Sequence, residues 1–273
     1  MKYDWTKASE YWTERISRAD DSQSASLYYG AADYINAQYD RWEQMITLRQ
    51  IGGSMRGQQV LDVGVGAGRW FLRLIKEGAC ATGTDISPGL IGSLEQRVRE
   101  DTPEANYRLV ISPSHILPFQ DQKFATVICT GVLEHLPTLH AILTVRELSR
   151  VTAKGGLIVL VINNASNPML QRSEDNPYRL SRQLDNGYFA GLTDWRKVRR
   201  ELQRSEVRVA RIASNPYFAA LRQVARQTPL VSEEAFARAV DLDLTGYADT
   251  KFGNELCDQY IVFGIKGGSA NEA

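Results

Sequence analysis

The chain has 273 residues, of which 43% are hydrophobic, so it can bury a sizeable core as one large domain or as one domain with covering elements. Lys plus Arg and Asp plus Glu each number 32, and this balance lacks the basic excess typical of nucleic-acid-binding proteins. The three cysteines, Cys80, Cys129 and Cys257, are widely separated, which predicts neither a disulfide framework nor a metal site and favours a reducing compartment.

The sequence also argues against a membrane protein. The longest aliphatic run, residues 157–162, is far too short to cross a bilayer, and residues 1–5 show no apolar signal core. We therefore expect a cytoplasmic protein without a membrane span and without a nucleic-acid partner. A homo-oligomer is compatible with the sequence.

The first 57 residues are rich in aromatic side chains and contain an approximate helical stripe of apolar residues: Ile35, Tyr39, Trp42, Met45, Ile46 and Ile51. This spacing predicts a helical lid over residues 1–57. The stripe either packs on the rest of the protein or covers a ligand, and both roles are compatible with it.

From residue 58 onward, short apolar runs alternate with helical patterns, which is typical of a parallel sheet with helices on both faces. We predict strands at residues 60–63, 80–85, 107–111, 124–130 and 156–162, with helices at 69–77, 88–99 and 139–150 between them. Ser87 and Pro88 fit the N-cap and first position of the second helix. Gly155 and Gly156 fit a tight turn into the fifth strand. This core covers residues 58–163.

Residues 164–258 form a second region outside the core. Loop-like composition is followed by a predicted helix at 194–203, an alternating strand at 207–212 and further helix up to residue 240. A last strand at 259–265 begins the final segment, residues 259–273, which ends in a polar tail. The predicted fold is α/β, a doubly wound and mostly parallel seven-stranded sheet with an N-terminal helical lid and a helical insertion after strand five.

A glycine-rich turn follows the first strand, with the sequence DVGVGAG at residues 62–68. Glycines there allow a tight turn and let a ligand approach the backbone closely. The dinucleotide fingerprint G-x-G-x-x-G would place its third glycine at Arg69, so that motif is broken. Asp62, two residues before the glycines, suits a cationic amino group better than a pyrophosphate.

Residues 60–68 resemble motif I of the class I S-adenosylmethionine-dependent methyltransferases. Two further signals support the resemblance: GTDIS at residues 83–87, and the set LPF, FATVI and LEHL at 117–119, 124–128 and 133–136. Together they resemble the small-molecule branch of that superfamily, notably quinone-biosynthesis-type enzymes. The resemblance covers residues 58–163 and implies a Rossmann-like methyltransferase fold.

The resemblance implies S-adenosylmethionine as the cofactor, with Asp62 near its ammonium, Asp85 on the ribose hydroxyls and Ile86 against the adenine. The full set of expected cofactor-binding residues is Asp62, Gly64, Gly66, Gly68, Asp85, Ile86, Ser114, Thr130 and Leu133. Two departures stand out. The acid that the family often carries before LPF is missing from SPSH at residues 112–115, so the hydroxyl of Ser112 or Ser114, or a backbone carbonyl, would have to replace it. The usual Asp after Phe124 is Ala125.

The implied reaction is methyl transfer to an O, N or C nucleophile of a small-molecule acceptor by in-line displacement, with no metal. It needs alignment and exclusion of water, and a general base if the nucleophile must lose a proton. His135 is the candidate base, and a structural role is the alternative. His115 and His140 are weaker candidates, and His140 is expected to be solvated. Tyr28 and Tyr29 would reach the cofactor or the substrate, or would pack in the core.

Aromatic residues in the second region could line an acceptor pocket or belong to the core: Tyr178, Tyr188, Phe189, Trp195, Tyr217 and Phe218. Three alternative functions stay open. The chain could be a non-catalytic cofactor-binding protein on the same fold, an NAD-dependent oxidoreductase, or a methyltransferase of proteins or nucleic acids. The last would often carry an N/D-P-P-Y/F motif after strand four, where this sequence has TGVL at residues 130–133.

Overall fold

The computed structural model describes residues 3–17, 32–165, 167, 182–227, 231–245 and 257–267. Helices in these residues are α1 (Trp5–Ser17), α2 (Asp33–Ile51), α3 (Arg69–Lys76), α4 (Pro88–Asp101), α5 (Thr138–Val151), α6 (Trp195–Arg204), α7 (Pro216–Gln227) and α8 (Glu233–Leu244). Strands are β1 (Gln59–Val63), β2 (Cys80–Asp85), β3 (Tyr107–Ile111), β4 (Phe124–Cys129), β5 (Thr152–Asn163), β6 (Arg182–Gln183), β7 (Phe189–Ala190), β8 (Val207–Ser214) and β9 (Gln259–Lys266). The predicted site or pocket residues Tyr28, Tyr29 and Tyr178 lie outside the described residues.

Seven strands form one sheet in the order β3-β2-β1-β4-β5-β9-β8. Strands β1 to β5 pair in parallel, whereas β9 runs antiparallel to both β5 and β8. This confirms the predicted doubly wound, mostly parallel seven-stranded sheet. The direction of winding reverses between β1 and β4, and their carboxyl ends therefore open the crevice where such sheets bind ligands.

Helices cover both faces of the sheet, because its strands have apolar side chains on both faces. Alternate residues of β5 belong to different core clusters, with Val159 and Val161 on one face and Ile158 and Leu160 on the other. The first face is packed by α2, α3, α4, α7 and α8, and the second by α5 and α6. Residues 157–162 of β5 are buried on both faces of the sheet, and this part of the strand is accordingly a continuous apolar run.

Most predicted boundaries agree with the structure to within a few residues. The Ser87 hydroxyl accepts a hydrogen bond from the Leu90 N–H at 3.1 Å, which confirms the N-cap of α4. The predicted turn at Gly155 and Gly156 was wrong. Strand β5 already begins at Thr152, directly after α5, and its register against β4 shifts between Phe124 and Thr126. The glycines lie inside this irregularity, where Gly155 has φ +75°.

The second region, residues 164–258, contributes elements to different parts of the fold. A two-stranded hairpin of β6 and β7 precedes α6, while α7 and α8 follow β8 and return the chain to β9. Helix α8 packs against both α7 and α2. Helix α2, which lies in the segment predicted as a lid, is therefore part of the layer that covers the first face of the sheet. No helix among the described residues has the length and hydropathy needed to span a membrane.

Candidate functional site

The glycine loop between β1 and α3 has the left-handed backbone that its sequence predicts. Gly64, Gly66 and Gly68 have φ values of +76°, +51° and +86°. A Cβ at Gly64 would lie 2.3 Å from the Val132 side chain, and one at Gly68 would lie 2.3 Å from that of Leu94. At Gly66 a Cβ would meet no atom of the described residues within 4 Å. The outer two glycines thus permit close packing, and the middle one leaves open space beside the loop.

Asp62 lies at the carboxyl side of β1 and is 2% exposed. Its Oδ2 atom is buried without a hydrogen-bond partner in the described part of the chain. Burial raises the pKa of Asp62 to about 7, with further upward contributions from Asp85 and Glu43, while Arg69 and the Phe71 N–H lower the pKa. An unpaired buried carboxylate oxygen is costly, and a cationic group would compensate it.

Asp85 connects the glycine loop to the end of β2. Its Oδ2 accepts a hydrogen bond from the Gly66 N–H at 3.1 Å, and its Oδ1 accepts one from the Ser87 N–H at 2.9 Å. Burial raises the pKa of Asp85, and these N–H donors lower it. The next residue, Ile86, is half-buried, and its carbonyl accepts a hydrogen bond from the Ser9 hydroxyl of α1 at 2.9 Å. Helix α1 therefore lies over the region predicted for adenosine.

The structure separates the three remaining predicted cofactor residues. Thr130 lies beside the glycine loop, where its hydroxyl is 3.4 Å from Nη2 of Arg69. The Ser114 hydroxyl is buried and 2.9 Å from the Thr144 hydroxyl of α5, so its hydrogen bond is to the core rather than directed to an open crevice. Leu133 is 1% exposed and packs in the core of the second face.

His135 lies in a short 3₁₀ turn (Leu133–His135) after β4. Its Nδ1 is 2.9 Å from the Phe189 carbonyl, which can only accept, so Nδ1 carries the proton and Nε2 is left as an acceptor. The rings of Trp12 and Tyr188 have centroids 4.8 and 5.5 Å from the imidazole. Burial lowers the pKa of His135 to about 4, so the ring is neutral at neutral pH.

The prediction that His140 is solvated was wrong. Trp5 of α1 stacks on His115 with centroids 4.4 Å apart and meets His140 edge-on at 5.1 Å. Burial lowers the pKa of both histidines. These histidines hold the start of α1, since their rings pack against each other and against Tyr3 and Trp5.

A buried charged network from α2 was missed by the sequence analysis. Arg69 donates to Asp40 at 2.5 Å and to Glu43 at 2.7 Å, and Glu43 also accepts from the Trp70 indole N–H at 2.6 Å. Glu43 is only 1% exposed. A signal was present: Asn36, Glu43 and Thr47, spaced by seven and four residues, are polar positions on the face of α2 that also carries the apolar stripe.

Glu134 adds another acid to this end of the sheet. It is buried, and its Oε2 has no hydrogen-bond partner in the described residues. Burial raises the pKa of Glu134 to about 7, and the nearby Glu43 raises it further. Asp40, Glu43 and Asp62 interact with the guanidinium of Arg69, and Glu134 adds a further buried carboxylate that interacts with Glu43.

The β6–β7 hairpin joins the start of α1 to the turn after β4. Gln183 accepts from the Asp4 N–H at 2.7 Å and donates to the Asp4 carbonyl at 2.8 Å. On the other side, the Gly191 N–H donates to the Glu134 carbonyl at 2.8 Å. Of the predicted pocket aromatics, Tyr188 faces His135 and Tyr217 is exposed, whereas three belong to the cores: Phe189, Trp195 and Phe218.

Comparison with known proteins agrees with this geometry. Residues 60–156 match the family described as "Methyltransferase domain". The central domain is a class I methyltransferase domain. The resemblance deduced from the motifs is confirmed, and the matched residues include the glycine loop, Asp85 and His135.

Relatives match part of the chain rather than the whole chain. The ubiquinone biosynthesis O-methyltransferase of Methylococcus capsulatus is 34% identical over 113 residues, which are 41% of this chain and 46% of that protein. The chain therefore matches less than half the length of this relative.

Solved structures show the same fold over nearly the whole chain. Magnesium protoporphyrin IX methyltransferase from Synechocystis, with bound SAM, has a TM-score of 0.61 at 16% identity and covers 97% of this chain and 98% of its own. Geranyl diphosphate C-methyltransferase from Streptomyces coelicolor has a TM-score of 0.62 at 14% identity and covers 96% and 97%. At such identities the similarity establishes the fold alone.

Proposed function

We propose that this chain is an S-adenosylmethionine-dependent methyltransferase that moves a methyl group to an O, N or C nucleophile of a small-molecule acceptor by in-line displacement. The observation that carries the proposal is the Oδ2 of Asp62, which is buried at the end of β1 and has no hydrogen-bond partner among the described residues, near the open space at Gly66. The ammonium of this cofactor supplies the cation that such an oxygen lacks.

The residues around Asp62 fit the rest of the cofactor. Asp85 is held in place by the Gly66 and Ser87 N–H groups and has the acceptor capacity to receive two ribose hydroxyls. Ile86 lies next to it as an apolar surface for the adenine, and α1 covers this side through Ser9. When bound, the cofactor supplies a methyl group on a sulfonium, and the protein has to align the acceptor and exclude water.

His135 is the group that we assign to proton removal from the acceptor. The Phe189 carbonyl fixes its tautomer and leaves the Nε2 lone pair, and its lowered pKa keeps that lone pair available at neutral pH. So weak a base takes a proton only from a group that becomes strongly acidic during methyl transfer, which describes a hydroxyl better than a carbon acid. Oxygen is therefore the nucleophile we favour, in line with the O-methyltransferase relatives.

The alternative functions are less consistent with the site. The acids Asp40, Glu43 and Asp62 beside the glycine loop would repel the pyrophosphate of a nicotinamide dinucleotide. A non-catalytic cofactor-binding protein would keep Asp62 and Asp85 but would have no need for a fixed tautomer at His135.

Calorimetric titration of the purified protein with S-adenosylmethionine, S-adenosylhomocysteine and NADH tests the proposal. We expect binding of the first two and no signal from NADH, and a loss of affinity in Asp85→Asn, since the neutral amide is a weaker acceptor for the ribose. Binding of NADH alone, or of none of the three, would contradict the proposed cofactor.

A screen of phenols, catechols, amines and carbon acids with labelled methyl donor then tests the chemistry. If His135 accepts the proton, His135→Ala lowers kcat while the affinity for S-adenosylhomocysteine stays unchanged. Unchanged kcat in that variant would reduce His135 to a structural residue. Cofactor binding without turnover of any acceptor class would favour the non-catalytic alternative.

A further inference from the structure

Asn215 carries a buried side-chain amide that the fold does not use. It lies between β8 and α7 and is 0% exposed. Neither its Oδ1 nor its Nδ2 has a hydrogen-bond partner among the described residues. Burying a primary amide in this way is costly, because both groups lose their hydrogen bonds to water. The position of this amide therefore needs a reason other than packing.

The capping of α7 does not supply that reason. The Asn215 carbonyl accepts a hydrogen bond from the Ala219 N–H at 2.9 Å, which makes Asn215 the N-cap residue of the helix. An asparagine at this position normally accepts from the second or third N–H of its helix through its side chain. Here Asp243 of α8 accepts from both, the N–H groups of Tyr217 and Phe218, at 3.1 and 3.0 Å. A carboxylate from another helix thus caps α7, and the Asn215 amide is left for another partner.

A second buried amide lies in the same row across the sheet. Asn163 is the last residue of β5 and is 4% exposed. Its Oδ1 accepts a hydrogen bond from Nε2 of Gln259 at 2.8 Å, but its Nδ2 has no partner in the described part of the chain. Strand β9 pairs Gln259 with Asn163 on one side and Tyr260 with Ser214, the last residue of β8, on the other. Asn215, the next residue, is therefore level with Gln259.

This row lies at the same end of the sheet as the candidate cofactor site. Because β9 is antiparallel to both β5 and β8, the carboxyl ends of β5 and β8 lie where those of β1 and β4 lie. In strand order, β5, β9 and β8 are on the far side of β4 from the strands that carry Asp62 and Asp85. An acceptor aligned with a methyl group held from β1 and β2 approaches from this side.

We propose that Asn215 and Asn163 recognise the acceptor, and that the acceptor carries a neutral group with a hydrogen-bond donor beside a hydrogen-bond acceptor, as a carboxamide does. The Asn215 amide offers a donor and an acceptor, and Nδ2 of Asn163 adds a donor. A carboxylate has no donor for Oδ1 of Asn215, and a hydrocarbon leaves all three atoms without partners. The inference rests on the proposed function, to which it adds a class of acceptor.

The first test needs no ligand. Asn215→Leu keeps the branching of the side chain and replaces its two polar atoms by methyl groups. The midpoint of urea denaturation should equal or exceed that of the wild type, because the fold loses no hydrogen bond. Asn164→Leu is the matched control: Asn164 is also 0% exposed, but its amide donates to the Cys257 carbonyl and accepts from the Tyr260 hydroxyl. This control should lower the midpoint. Asn215→Ala shows whether a loss in Asn215→Leu comes from overpacking.

The second test uses three derivatives of catechol that carry a carboxamide, a methyl ketone or an isopropyl group para to one hydroxyl. The three groups have similar shapes but offer a donor and an acceptor, an acceptor alone, or neither. Their affinities would be measured by calorimetry with protein saturated with S-adenosylhomocysteine. We expect the wild type to bind the carboxamide about tenfold more tightly than the isopropyl derivative, with the ketone between them. In Asn215→Leu this preference should disappear, and the isopropyl derivative should bind at least as well as it binds the wild type.

Two results would overturn the inference. If Asn215→Leu and Asn215→Ala both lowered the urea midpoint as much as Asn164→Leu does, the Asn215 amide would serve the fold. If the wild type bound S-adenosylhomocysteine but bound the three derivatives equally, or bound none of them, the amides would not select this class of acceptor. Failure of the proposed function is distinct, because the wild type would then not bind S-adenosylhomocysteine at all.

Discussion

The two N-terminal helices approach the candidate cofactor site from different sides and are attached by different forces. Helix α2 is bound through buried charges, since Glu43 and Asp40 hold Arg69, and Glu43 also accepts from Trp70. The contacts of helix α1 include neutral ones: the Ser9 and Thr13 hydroxyls form hydrogen bonds with Ile86 and Ser87, and Trp5 stacks on His115.

This difference has a consequence for how each helix behaves. Removing α2 would take the counter-charges Asp40 and Glu43 away from Arg69, and breaking a buried ion pair from one side costs several kcal/mol. It would also expose the core on the first face of the sheet. Removing α1 would break half-buried hydrogen bonds that water can replace, at about 1 kcal/mol each. We therefore predict that α2 stays in place when a ligand binds, and that α1 is the helix that moves to admit the ligand.

The largest effect is expected from Glu43→Gln in α2. The amide can still accept from Trp70, but Arg69 loses a buried counter-charge, and breaking such a pair from one side costs about 3 kcal/mol. Urea denaturation of the ligand-free protein would measure the loss. Glu77→Gln removes the exposed partner of Arg73 and should cost less than about 1 kcal/mol. Equal losses of unfolding free energy in the two variants would contradict the prediction, because they would show that the Glu43–Arg69 pair contributes no more than an exposed ion pair.

An effect of intermediate size is expected from pH, because burial raises the pKa of Asp62 to about 7. Only the ionised carboxylate attracts an ammonium, so the affinity for S-adenosylhomocysteine should fall as pH decreases below 7, approaching about tenfold per unit. Calorimetry from pH 8 to 5.5 would show this slope in the wild type and a flatter one in Asp62→Asn. A wild-type affinity independent of pH would indicate that Asp62 is already ionised before the ligand binds.

Stability of the ligand-free protein should respond to pH in the opposite direction. Burial raises the pKa of Asp62, of Glu134 and of Asp243 in α8 to about 7, above the values near 4 of an unfolded chain. Between about pH 4 and 7 the folded state therefore binds more protons than the unfolded state. The contribution of these groups to the free energy of unfolding falls as pH rises through that window. A thermal melt that rises between pH 7.5 and 6 without ligand would support this sign.

The sequence predicted the part of the site that is local along the chain. The turn from β1 into α3, the glycines and Asp85 are all set by residues within one β-α-β unit, so spacing and turn chemistry were sufficient. Glu43 could not be assigned in this way, because its importance depends on α2 packing against α3, which no local pattern specifies. His135 was found as a candidate, but its tautomer depends on Phe189, 54 residues further along the chain.

Errors arose where local propensity competed with pairing. Gly155 and Gly156 have the composition of a turn, yet Thr152 already pairs with Phe124 of β4, and the strand absorbs the glycines as an irregularity. His140 lies on a helix position that would be solvated in isolation, and it is partly buried because Tyr3, Trp5 and His115 pack against it. In both cases a partner distant in sequence decided the structure.

The smallest effect is expected from Ser9→Ala in α1, which removes the hydrogen bond to the Ile86 carbonyl and leaves that carbonyl accessible to water. If the closed position of α1 is destabilised by about 1 kcal/mol, S-adenosylhomocysteine should be released roughly fivefold faster. Global stability should change little. Stopped-flow release rates and hydrogen exchange of the α1 amides would measure it. Thr6→Ala, at an exposed position of the same helix, is the control. If Ser9→Ala lowered the free energy of unfolding as much as Glu43→Gln does, α1 would be as firmly attached as α2. The ligand would then have to enter by another route.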